Sequence, residues 1–72
     1  MITRTIVRPT VSQPATELEP EQALVSMAQD IAAMQARAGC RVSIGHDGLI
    51  RVVSDEAVVT YETGVTVSPY WL

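Results

Sequence analysis

Cys40 and His46 are the only cysteine and the only histidine in the chain. A thiol and an imidazole are the parts from which a cysteine nucleophile and its general base are built. That chemistry needs surroundings that favour the thiolate. Cys40 follows the C-terminal end of a predicted helix, where the dipole is negative and opposes an anion. The residues between the two alternate as a strand, which would hold the groups roughly 20 Å apart at about 3.3 Å per residue. Cys40 is therefore expected to be a structural thiol facing the core, and the pair is not a catalytic dyad. His46 and Asp47 offer one imidazole and one carboxylate, too few ligands for a tight metal site. Asp47 is expected to bond its own backbone in a turn instead. The chain has no phosphate-binding glycine loop, no serine elbow and no paired-histidine motif. It is expected to be no enzyme and to carry no metal or cofactor.

The stretch that holds these residues, GCRVSIGHDG at 39–48, reads as the end of a helix followed by a hairpin. The helix is predicted over 20–38. Pro20 suits its first turn, Glu17, Glu19 and Glu21 sit near its positive end, and Arg37 lies near its negative end. Leu24, Met27, Ala28, Ile31, Met34 and Ala38 recur at spacings of three and four, which predicts the buried stripe. Glu21, Gln22, Ser26, Gln29, Asp30 and Arg37 take polar positions around the rest. Gly39 falls where a left-handed residue ends a helix.

From Cys40 onward the period becomes two, in four short runs: CRVSI, LIRVVS, AVVTYE and VTVS. A loop at His46-Asp47-Gly48 pairs Ile44 with Ile50 and Val42 with Val52. A turn at Asp55-Glu56, a corner expected to be solvated, pairs Val52 with Val59 and Ile50 with Tyr61. A loop at Glu62-Thr63-Gly64 pairs Tyr61 with Val65 and Val59 with Val67. All three registers send Val42, Ile44, Ile50, Val52, Val59, Tyr61, Val65 and Val67 to one face, and a one-residue slip would break that agreement. The opposite face carries Arg41, Ser43, Arg51, Thr60, Thr66 and Ser68, with Leu49, Val53 and Val58 among them.

The expected fold is α+β. One amphipathic helix packs on one face of a four-stranded antiparallel meander, with residues 2–7 as a candidate extra N-terminal strand. Residues 1–8 form that strand or arm, 9–19 a proline-rich linker, and 20–72 the core of a single domain. The arm could dock beside residues 41–45, beside 65–68, or in another chain.

With 72 residues the chain buries only about 60% of its extended surface, and a single core of that size is marginal. One cysteine forms no internal disulfide, so a well-packed core, a second copy or a partner must supply the remaining stability. A lone cysteine, no apolar run of membrane-spanning length and an N-terminus without a signal-peptide core point to the cytoplasm.

A net charge of −3, with all five basic residues being arginines and none clustered, opposes polyanions, because phosphate binding draws its affinity from basic stripes. Protein binding is the leading expectation. The surface would be the semi-apolar outer face, Leu49, Arg51, Val53 and Val58, together with the aromatic tail residues Tyr70 and Trp71, since Tyr and Trp are enriched among interface anchors. Size and acidity are those of small phage and mobile-element products that inhibit a larger host complex by occluding it, in the host cytoplasm. One alternative is a small dimeric nucleic-acid-binding regulator using Arg41 and Arg51 on the outer face. Another is an accessory or assembly subunit, a homodimer that exchanges its N-terminal arm.

Overall fold

The computed structural model describes residues 1–11 and 13–64. The element order is β1 (Ile2–Val7), β2 (Thr16–Leu18), α1 (Pro20–Arg37), β3 (Arg41–Ile44), β4 (Leu49–Val53) and β5 (Val58–Glu62). Among the described residues the strands form one five-stranded antiparallel sheet in the order β2-β1-β5-β4-β3, with the helix against one face. The α+β class follows directly from this arrangement.

Local chemistry accounts for the helix limits. Pro20 opens the first turn, and the Glu19 backbone N–H donates to Gln22 Oε1 at 3.0 Å, satisfying a donor at the helix N-terminus. At the other end the Ala38 N–H donates to the Met34 carbonyl at 3.0 Å. Gly39 then takes φ +78°, the left-handed conformation that lets the chain leave.

Both inner hairpins adopt the expected registers. Val42 pairs with Val52 and Ile44 with Ile50, then Val52 pairs with Val59 and Ile50 with Tyr61. Asp47 Oδ1 accepts from the Leu49 N–H at 3.1 Å, and Gly48 sits at φ +81°. In the second turn Ser54 Oγ accepts from the N–H groups of Glu56 and Ala57, each at 3.2 Å.

Residues 2–7 dock at none of the three sites expected from sequence. β1 lies beside β5, pairing Arg4 with Tyr61 and Ile6 with Val59. With β4 on one side and β1 on the other, both edges of β5 are filled. Tyr61 pairs with Arg4 and Ile50, and Val59 with Ile6 and Val52, while Val65 and Val67, their expected partners, lie outside the described residues. The run 65–68 itself lies outside the described residues. Part of the stretch read as linker is also structured: Thr16–Leu18 pair with Arg4–Ile2 and form an edge.

The core consists of Ile6, Ala23, Val52, Ala57, Val59 and Tyr61, with Ile2, Leu18, Met27, Ile31, Met34, Cys40 and Ile50 packed against it. Fully burying a Val or Tyr-sized apolar group is worth about 1.5–3 kcal/mol each. The helix lies over the β1–β2 side of the sheet, and its inward face keeps Met27, Ile31 and Met34 of the expected stripe while gaining Ala23 in place of Leu24, Ala28 and Ala38. Ala23 is 1% exposed, whereas Leu24 is 69% exposed and Ala28 and Ala38 are also exposed. The same offset leaves Val42 and Ile44 uncovered, at 47% and 75% exposure.

Candidate interaction face

One polar cluster sets the helix in its offset position. Ile2, Arg4 and Ile6 share the inward phase of β1, so Arg4 points under the helix. Its Nη2 donates to Asp30 Oδ1 at 2.8 Å and its Nε to Asp30 Oδ2 at 3.0 Å. Tyr61 donates its hydroxyl proton to Asp30 Oδ2. The phenol oxygen in turn accepts from Ser26 Oγ at 2.9 Å and from Arg4 Nε at 3.3 Å. The Asp30 hydrogen bond holds the Arg4 guanidinium above its already high ordinary pKa. Burial, reinforced by donation to Asp30, pushes the Tyr61 phenol above 10. These groups satisfy one another, and a phenol harder to ionise than usual is present as even less phenolate at neutral pH. Ser26 and Asp30, read from sequence as polar positions away from the apolar stripe, are thus half-buried anchors. The signal that could have found them is Arg4 at an apolar-phase position, because a guanidinium drawn under a helix requires a carboxylate there.

Beside the cluster an open cleft of about 420 Å³ is lined by Arg4, Arg8, Arg37, Asp30 and Glu56 among others. Its charges are largely paired internally: Arg4 with Asp30, and Arg37 Nε with Glu56 Oε2 at 3.0 Å. Cys40 Sγ lies 3.8 Å from the Ile31 carbonyl and 3.6 Å from Gln35 Oε1. His46 is at the far end of β3, exposed in the turn. Among the described residues no three His, Cys, Asp or Glu side chains gather where a metal could sit.

The outer face has a different character, and its composition follows from the register. Directly paired residues of antiparallel strands project to the same side. Val7 pairs with Val58, Val58 with Val53, and Val53 with Arg41, which makes an apolar ladder ending in a cation. The next row is Thr5, Thr60, Arg51 and Ser43. A third row runs Glu17, Thr3, Glu62 and Leu49. Of the residues expected to bind a partner, Val53 and Val58 are thus adjacent. Arg51 borders them, and Leu49 lies two residues away along β4, opposite Glu62. Tyr70 and Trp71 lie outside the described residues. Arg41 and Arg51 share this face on neighbouring strands.

Val7, half exposed, extends the ladder to a third strand and was not foreseen as a site residue. At its corner Val7, Pro9 and Val58 line a shallow cleft of about 200 Å³, with Arg8, Asp55 and Glu56 around it. Among the described residues no helix is long and apolar enough to cross a membrane.

No family model, curated protein or solved structure matches the chain. Its surfaces therefore carry the functional argument.

Proposed function

We propose that this chain is a small non-catalytic protein-binding module that acts by covering a surface of a larger partner with the outer face of its sheet. The Val7–Val58–Val53 ladder carries the reading. The helix packs on the opposite face, so these valines lie together on a sheet surface that no other described element covers. Adjacent apolar groups rimmed by charge fit an interface better than singly scattered surface residues do. Arg8 and Arg41 on one hand and Asp55 and Glu56 on the other border the ladder, supplying charges of both signs for orienting a partner. In the phage or mobile-element setting suggested by size and acidity, the partner is a host complex in the host cytoplasm and occlusion inhibits it.

Val58→Asp tests this reading. The side chain is only half buried on the outer face, so the domain should keep its cooperative melt while partner affinity falls at least tenfold. Retained affinity with an intact fold overturns it.

A second reading draws on Arg41 and Arg51, which lie on adjacent strands of the same face. They would suit a dimeric nucleic-acid-binding regulator, against an overall charge of −3. Binding that weakens steeply with salt would favour that reading, because released counterions set the slope.

A further inference from the structure

We infer that the outer edge of β3, unpaired among the described residues, pairs with β3 of a second copy, antiparallel about a two-fold axis at Ser43, so that Val42 of each protomer faces Ile44 of the other. This rests on the edge alone and stands apart from the proposed partner on the outer face.

The two edges of the sheet differ. β2 has three residues and lies between Pro14 and Pro20, the short, proline-flanked form that resists strand addition. β3 has four residues, all exposed, and contains no proline or lysine. Val42 and Ile44 belong to the apolar face, yet among its described residues they are the least covered.

Hydrogen-bond parity shows what the edge offers. Gly45 donates to the Leu49 carbonyl at 2.9 Å, so Gly45–Leu49 is a bonded pair of the β3–β4 ladder. Bonded and non-bonded pairs alternate along antiparallel strands. Ser43–Arg51 and Arg41–Val53 are then bonded, whereas Val42–Val52 and Ile44–Ile50 are not. The N–H and C=O groups of Val42 and Ile44 therefore point away from β4. A second β3 centred on Ser43 sets Val42 against Ile44 and Ile44 against Val42, so every outward group on these two residues gains a partner. The side chains of each pair meet on the same face, covering apolar surface the helix leaves bare. Shifting the axis to Val42 would call on the Cys40 N–H, which already donates to Gln35 Oε1 at 3.1 Å.

Charge follows the same symmetry. Arg41 begins β3 and Asp47 lies in the turn beyond its end. An antiparallel two-fold brings the cation of one copy to the acidic end of the other at both ends of the seam, as an isologous contact requires. The edge is short, so the buried area falls below the roughly 1,200 Å² at which standard interfaces begin, and association should depend on concentration.

Sedimentation equilibrium of the full chain from about 1 to 500 µM reads this linkage. The weight-average mass should rise from 7.8 kDa toward twice that value. Ile44→Lys, at a side chain mostly in solvent, should leave the thermal melt unchanged and hold the mass at the monomer value. In a Cys40→Ser background, Ser43→Cys should form an intermolecular disulfide on mild oxidation, because facing non-bonded pairs lie within disulfide reach. Thr60→Cys, in mid-sheet on the same outer face, should not. Monomer at every concentration overturns the inference, as does a dimer indifferent to Ile44→Lys. Exchange protection of the Val42 and Ile44 amides that is independent of concentration would put another occupant on the edge and overturns it too.

Discussion

Arg4 and Asp30, 26 residues apart, meet in a two-pronged ion pair of 2.8 and 3.0 Å that ties the N-terminal strand to the middle of the helix. Their side chains retain 21% and 17% of their exposure, so the pair is largely withdrawn from water. Removing one partner of such a pair leaves an uncompensated charge, which is costlier than removing both. Asp30→Ala should destabilise the domain by about 2–4 kcal/mol. Arg4→Met with Asp30→Leu should cost less than Asp30→Ala alone. Urea denaturation of the single and double variants measures both values.

Tyr61 makes the same cluster sensitive to alkali. Its folded pKa lies above the ordinary value of 10.0, through burial first and donation to Asp30 second. Neutral phenol is thus the form that the fold favours. Its contribution is fully present below pH 10 and is lost as pH rises through the folded pKa. Stability should fall above about pH 10 in the wild type. Tyr61→Phe should remove that part of the fall while costing about 1–2 kcal/mol at neutral pH. Denaturation midpoints between pH 7 and 11.5 give the comparison.

Residues 1–8 are integral to the sheet. β1 lies between β2 and β5, and it contributes Ile6 to the core and the half-buried Arg4 to the ion pair with Asp30. Deleting residues 1–8 should abolish the cooperative thermal transition seen by circular dichroism. A truncated chain that melts as the full chain does would show the strand to be dispensable.

Short-range pattern made much of this fold readable. The β3–β4 and β4–β5 registers follow from a two-residue period and turn chemistry, and both ends of α1 follow from Pro20 and Gly39. What sequence could not reveal depended on contacts distant along the chain. Apolar spacing includes Leu24 with Met27 and Ile31 in the helix stripe because spacing alone cannot choose between Ala23 and Leu24. The choice is made by Asp30 reaching Arg4 and Tyr61, which rotates Ala23 inward and leaves Leu24 in water. Pattern alone gives β1 the wrong neighbours for the same reason: its inward Arg4 reads as a break in the apolar side rather than as a tether. Val53 and Val58 were recognisable as neighbours on the outer face because one tight turn joins them. Val7 joined them only once β1 lay beside β5.

The central claim, that the outer face of the sheet is the binding surface, is most directly tested by a photo-crosslinking amino acid placed at Thr60 and, separately, at Ala28. Thr60 lies on the outer face next to the valine ladder, whereas Ala28 is exposed on the helix. In the native cell the Thr60 probe should yield one stoichiometric protein adduct, lost when Val58→Asp is added, and the Ala28 probe should yield none. A partner captured equally from both positions, or through Ala28 alone, would contradict the account.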